Sequence, residues 1–254
     1  MRTPLSVIVP SRRYGPAMRL VLWDVDGTLV RCGPIGSEVF DLAIERVLGR
    51  HPGPHRVAMS GMTDPLIARE ILAFAEVEGS ALDDHIAAAL VHLERELSLT
   101  AGRLTREGHE LVGARTALEA LAARDDVVQT LLTGNVAANA RTKLAAFGLD
   151  PLLDLTIGAY GSDHHDRREL VPIARARAER RYSRPFPASS TWVIGDTPRD
   201  LECAQAGGAR CVLVATGRSP YEELRDLPAD MVLRDLSDPS PLLDMLDEGA
   251  TARG

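Results

Sequence analysis

Residues 19–28 read Arg-Leu-Val-Leu-Trp-Asp-Val-Asp-Gly-Thr (RLVLWDVDGT). The run Arg19 to Trp23 is short and apolar and stops at Asp24, the pattern of a strand buried on both faces of a parallel sheet. Gly27 comes almost at once and permits a sharp turn. In an open parallel sheet, ligands gather at the carboxyl ends of the strands. A strand that ends in Asp24 and Asp26 therefore marks a place where chemistry is expected.

Outward from this stretch the chain alternates. Strands are expected at 127–132, 154–158, 191–195, 211–215 and 231–233, with helices at about 136–147, 168–181, 199–207 and 221–226 between them. Such alternation implies right-handed crossovers and a parallel sheet. Residues 37–105 break the regime. Val39, Phe40, Ala43, Ile44, Val47 and Leu48 recur at helical spacing, and so do Leu82, Ile86, Ala89, Leu90, Leu93 and Leu97. Helices are expected at 64–77 and 81–99, with a further one at 114–123. The predicted architecture is an α/β fold, a doubly wound parallel sheet over 18–36 and 106–248 with a helical cap inserted at 37–105. Residues 1–17 are expected to be a flexible tail, and those after Gly249 to fray.

Composition narrows the function. The 254 residues are 45% hydrophobic and 26% charged, which supports a sizeable packed core and argues against disorder throughout. The formal net charge of −7 disfavours a nucleic-acid binder that relies on phosphate contacts. No run of 18 apolar residues occurs, so no membrane span is expected. Cys32, Cys203 and Cys211 have neither a pairing framework nor metal spacing, which points to a reducing, cytoplasmic compartment.

Three strand ends carry the chemistry. The first ends in Asp24-Val25-Asp26-Gly27-Thr28, another in Thr133-Gly134-Asn135, and a later one in Gly195-Asp196-Thr197-Pro198-Arg199-Asp200. Two ionised carboxylates in one site repel, by several kcal/mol at low effective dielectric. A divalent cation relieves that repulsion, and carboxylates with phosphate oxygens are typical Mg²⁺ surroundings. The chemistry this set favours is attack by one Asp on an electrophile whose anionic oxygens the cation holds.

DVDGTLV, LLTGN and VIGDTPRD, in this order on strand ends, resemble the haloacid dehalogenase superfamily. The resemblance implies that Asp24 is the nucleophile that forms an aspartyl-phosphate and that Asp26 is the general acid/base. It implies that Thr133 holds a phosphate oxygen, with Gly134 and Asn135 adding donors. It assigns Mg²⁺ to Asp24, Asp196, a supporting Asp200, and the backbone carbonyl of Asp26. The family places a Lys, less often an Arg, before the helix at 168–181. No lysine stands there, and the only one nearby is Lys143. Arg167 and Arg168 are the candidates, with Arg167 favoured; a guanidinium can hold carboxylate and phosphate bidentately, so an arginine there is chemically sound though not equivalent to a lysine. The presence of Asp26 favours phosphoryl transfer over dehalogenation. The helical insertion resembles the C1-type cap of the phosphoglycolate phosphatase-like branch. There Gly61-Met62-Thr63-Asp64 is similar to the loop that faces substrate, which makes Thr63 a candidate contact; Thr63 or Asp64 as a helix N-cap is an equal reading.

The implied function is a Mg²⁺-dependent phosphatase acting on a small phosphorylated metabolite, as a monomer or homodimer. The alternatives are a phosphomutase of the β-phosphoglucomutase-like type and a non-catalytic binding protein that has kept the fold. His164 and His165 read as solvated loop residues. Trp192, Cys203 and Cys211 read as core.

Overall fold

The computed structural model describes residues 18–251. The expected tail at 1–17, and most residues after Gly249, lie outside the described residues.

Six strands build one parallel sheet. They are β1 (Arg19–Trp23), β4 (Val127–Thr133), β5 (Ala159–Tyr160), β6 (Thr191–Gly195), β7 (Arg210–Val214) and β8 (Met231–Leu233), in the order β5-β4-β1-β6-β7-β8. Two further strands, β2 (Val30–Arg31) and β3 (His109–Glu110), pair antiparallel outside it. β1 is central, in register with β4 (Leu22 beside Thr130) and with β6 (Leu22 beside Val193). This position explains its unbroken apolar run. Leu20 and Leu22 face one hydrophobic core while Val21 and Trp23 face another, and all four are buried. The polar tip of Trp23 is satisfied inside, its Nε1 donating to Gln129 Oε1 at 3.1 Å. Trp192 is buried as expected, and so are the three unpaired cysteines.

Helices cover both faces. α4 (Ala114–Ala122), α5 (Ala137–Ala146) and α9 (Ser240–Thr251) lie toward one core. α6 (Leu170–Tyr182), α7 (Pro198–Ala206) and α8 (Tyr221–Leu224) lie toward the other. Between β2 and β3 the chain forms α1 (Ile35–Leu48), α2 (Asp64–Phe74) and α3 (Leu82–Glu107). β2 and β3 thus tie together the two points where the helical unit leaves and rejoins the sheet domain.

The weak strand expected at 154–158 is a correction. The side chain of Asp154 accepts from the backbone N–H and the hydroxyl of Thr156, closing a turn. The strand begins only at Ala159. α3 runs to Glu107, past the expected end near residue 99. Leu104 is fully buried and keeps the last turns packed.

Candidate active site

The site lies at the carboxyl ends of β1, β4 and β6, where three turns meet. β1 ends by donating Asp24 N–H to the carbonyl of Ile194 at 2.9 Å, which carries the strand pairing one residue further and aims Asp24 into the crevice. Carboxylate oxygens of Asp24, Asp196 and Asp200 lie within 4.8 Å of one another, and all three residues are buried. Among the described residues this is the one grouping of three metal-competent side chains. His164 and His165 stack on each other, centroids 4.7 Å apart, and belong to no such grouping.

The three carboxylates are held differently. Asp200 caps α7: its Oδ2 accepts from the Thr197 N–H at 2.9 Å and the Thr197 hydroxyl at 2.7 Å. Its Oδ1 accepts from Arg167 Nη2 at 2.5 Å. Both oxygens are therefore occupied, and Asp200 supports its neighbours. Asp196 is freer, accepting on Oδ1 the Thr28 hydroxyl at 3.1 Å. Burial pushes the carboxyls of Asp24 and Asp196 above the ordinary range; Arg167 opposes this at Asp24, and Asp200 and Asp24 reinforce it at Asp196. A divalent cation fits this donor set. Two buried carboxylates disfavoured in the charged form, one of them nearly free of hydrogen bonds, are what such an ion stabilises.

Arg167 is inside and Arg168 is outside, a difference that a short 3₁₀ turn at Arg167–Glu169 produces. Arg167 is buried and its Nη2 lies 3.2 Å from Asp24 Oδ1 and 2.5 Å from Asp200 Oδ1. One nitrogen makes both contacts. Nε of the same guanidinium, also buried, has no hydrogen-bond partner among the described residues. Arg168 is turned to solvent and spent on the Asp166 carboxylate at 2.6 Å, so its candidacy as a phosphate contact ends there.

Asp26 sits in a network that the strand-end motifs do not announce. Lys143 Nζ lies 2.6 Å from Asp26 Oδ2 and 2.6 Å from Asn135 Oδ1. Asn135 Nδ2 donates to the same Asp26 oxygen at 2.8 Å and to Thr133 Oγ1 at 2.8 Å. The Cys32 thiol lies 3.6 Å from Oδ1. Burial works to raise the Asp26 carboxyl, but the Lys143 ammonium and the hydrogen bonds outweigh it, leaving the group below its ordinary value. A signal for Lys143 exists in the sequence: it is the single lysine among 29 Lys and Arg residues, and it stands in the helix that follows the TGN strand end.

Thr63, expected to touch substrate, is otherwise engaged. It is buried, and its hydroxyl donates to the carbonyl of His165 at 2.6 Å. Asp64 takes the inward position. Its N–H donates to the Gly134 carbonyl at 2.7 Å and its Oδ2 accepts from the Val136 N–H at 2.8 Å. Arg199 Nη1 reaches the Ser60 carbonyl at 2.6 Å. The loop before α2 is thus stitched to the strand ends of β4 and β6. A cavity of about 380 Å³ remains between helical unit and sheet, with Asp24, Asp26, Thr133, Arg167, Lys143 and Asp196 in its polar wall. Phe40, Met59, Met62 and Ile67 supply the apolar wall. The Cys32 thiol, pushed up to about 12 chiefly by burial, is no nucleophile.

Known proteins share this arrangement. The family model for haloacid dehalogenase-like hydrolases matches residues 21–205. A phosphoglycolate phosphatase of Pseudomonas fluorescens (strain Pf-5) is 30% identical over 215 residues, 80% of this chain and 71% of its own. The fold is shared with a hydrolase of Pseudomonas syringae, 21% identical with a TM-score of 0.62 over 91% of this chain and 98% of that one. It is shared also with a putative β-phosphoglucomutase of Bacteroides vulgatus, 16% identical with a TM-score of 0.65 over 92% and 91% of the two chains. Among the described residues no helix is long and apolar enough to cross a membrane. With a model match across most of its length and the acidic strand ends assembled in one crevice, the chain belongs to the haloacid dehalogenase-like hydrolases, on their phosphoglycolate phosphatase-like side.

Proposed function

We propose that the protein hydrolyses the phosphate ester of a small metabolite through an aspartyl-phosphate on Asp24, in the presence of Mg²⁺. The observation that carries this reading is the convergence of carboxylates from separate strand ends within 4.8 Å, with Arg167 in contact with two of them. A binding protein has no need of an ionisable Asp26 beside a buried nucleophile.

Asp24 and Asp196 would hold the ion directly, with the backbone carbonyl of Asp26, and Asp200 would hold them in place. Bound there, Mg²⁺ offsets charge on the phosphoryl oxygens. The chain's own groups supply the rest. The phosphate enters against Thr133, Gly134 and Asn135, whose hydroxyl and backbone donors orient it, and Arg167 balances its charge. A carboxylate oxygen of Asp24 attacks phosphorus, and the bond from phosphorus to the ester oxygen breaks. The departing oxygen takes a proton from Asp26 in its protonated form, which the Lys143 ammonium makes the minor form in the free protein. Asp26, now a carboxylate, takes a proton from water, whose oxygen attacks phosphorus. The bond from phosphorus to Asp24 then breaks, releasing inorganic phosphate and restoring both carboxyl groups. The stitched loop before α2 keeps bulk water out during the first step.

The cavity suits a small substrate. Phosphoglycolate is the first candidate, since the Pseudomonas fluorescens relative carries that name; sugar and nucleotide phosphates are comparable. The test is a panel of phosphorylated metabolites with detection of free phosphate, run with wild type, with Asp24→Asn, and with EDTA. The expected result is phosphate release that Asp24→Asn and chelation each abolish. Retention of more than a few per cent of activity in Asp24→Asn defeats the nucleophile assignment. Sugar-phosphate interconversion with little free phosphate would establish the mutase instead.

A further inference from the structure

We propose that Lys143 is a positioning residue for the phosphatase reaction, fixing Asp26 so that a single carboxylate oxygen faces the substrate; the assignment rests on the phosphatase reading above.

Lys143 comes from α5, not from the turn that delivers Arg167, so the site holds two cations on separate elements. Arg167 touches Asp24 and Asp200, whereas Lys143 touches Asp26 and Asn135. The Asp26 side chain is 43% exposed, open to the cavity, and would rotate freely without an anchor. The anchor lies on one side only. Lys143 Nζ at 2.6 Å and Asn135 Nδ2 at 2.8 Å both engage Oδ2. Oδ1 meets the Cys32 thiol at 3.6 Å, a weak donor. The two strong bonds thus select Oδ1 as the oxygen that exchanges a proton with the ester oxygen and then with water. Asn135 also bonds the Thr133 hydroxyl, so the same lattice links the acid/base to the phosphate cradle.

The choice of lysine fits the task. Every other basic side chain apart from the histidines is arginine. A compact ammonium with three tetrahedral donors bridges two oxygens, each 2.6 Å away, in a closed space.

The test compares Lys143→Met, Asp26→Asn and the double variant with wild type in the full chain, on two substrates. p-Nitrophenyl phosphate has a leaving group that departs without a proton; an alkyl phosphate does not. If Lys143 acts through Asp26, kcat/KM of Lys143→Met falls by about 100-fold on the alkyl phosphate and by less than about fivefold on p-nitrophenyl phosphate, the pattern Asp26→Asn itself gives. The double variant is then within about threefold of Asp26→Asn, because the two side chains work as a unit. A merely structural lysine lowers both substrates equally. Equal losses, no loss, or losses that multiply in the double variant overturn the role. The double variant also removes the countercharge, so it stays testable if Lys143→Met alone folds poorly. Wild-type turnover and a dead Asp24→Asn, run alongside, separate failure of this assignment from failure of the phosphatase reading; an inactive wild type overturns both.

Discussion

Replacing Arg167 probes how the buried acids are held. Its Nη2 sits 3.2 Å from Asp24 Oδ1, where an effective dielectric of about 20 gives an attraction of about 5 kcal/mol. Arg167→Met leaves Asp24, Asp196 and Asp200 without the cation that directly contacts two of them. Breaking a buried pair in this way costs about 3–5 kcal/mol, which in a chain of this size lowers Tm by roughly 10 °C. The same loss falls on the transition state, so kcat/KM on p-nitrophenyl phosphate drops by about 10²–10³-fold. Arg167→Lys is the sharper test. One nitrogen makes both carboxylate contacts, and Nε is a buried donor with no partner among the described residues. An ammonium placed where Nη2 stands reproduces both contacts and removes the unpartnered donor, whose burial costs about 1–3 kcal/mol. Arg167→Lys is therefore expected to keep activity within about tenfold of wild type and to melt no lower. Equal damage in Lys and Met variants would refute this reasoning and show that the fork itself engages the phosphate. Differential scanning fluorimetry with steady-state kinetics on the same preparations gives both readouts.

Two further perturbations address the loop before α2. A Cβ on Gly134 would stand 2.0 Å from the Met62 carbonyl, so Gly134→Ala must push that loop from the strand end; KM for the best substrate is expected to rise about tenfold, with kcat falling less, and an unchanged KM would show that the loop does not close over substrate. Asp64, pushed up to about 7 chiefly by burial, holds its proton more tightly folded than unfolded. Its contribution to stability is full below the ordinary carboxylate range and is lost as pH rises toward 7. Asp64→Asn keeps an acceptor for the Val136 N–H and removes the titration, so by urea unfolding it gains on wild type by up to about 4 kcal/mol between pH 4 and pH 8. A constant difference across that interval would contradict the buried carboxyl.

Legibility in the sequence tracks the range of the interactions. β1 is plain because burial on both faces writes an unbroken apolar run that ends at Asp24. α1, α2 and α3 are plain because each buries one stripe. β2 and β3 are invisible, since two residues carry no period and the pairing spans Val30 to Glu110. α9 escapes notice: its buried Leu242, Met245 and Leu246 come after a Pro-rich, Asp-rich stretch that reads as loop. At the site, Asp24, Asp26, Thr133, Asp196 and Asp200 announce themselves by standing on strand ends. Arg167 and Arg168 are neighbours that only a 3₁₀ turn tells apart. The partners of Thr63 and Lys143 are hidden for one reason. A hydroxyl in a polar loop invites a ligand reading, and a lone lysine in a helix carries no local sign of its partner. Their partners, His165 and Asp26, lie about a hundred residues away and are set by tertiary packing.

The glycines around the acids set how closely backbone packs against the buried charge. A Cβ at Gly217 would stand 1.7 Å from Asp196 Oδ2, one at Gly27 2.4 Å from the same atom, and one at Gly195 2.1 Å from Asp200 Cγ. Backbone therefore wraps the carboxylates at distances that no other residue permits. Thr216 fastens one wall to the other through its hydroxyl on the Gly27 carbonyl at 2.7 Å, and Arg31 Nη2 holds the Thr216 carbonyl at 2.5 Å. On the walled side these acids have little room to move apart. They must be protonated, paired with Arg167, or shared with a cation, and a cation would offset the charge that pairing with Arg167 leaves uncompensated. On the proposed reading, the close approach of backbone to Asp196 would hold its carboxylate where it can share a cation with Asp24.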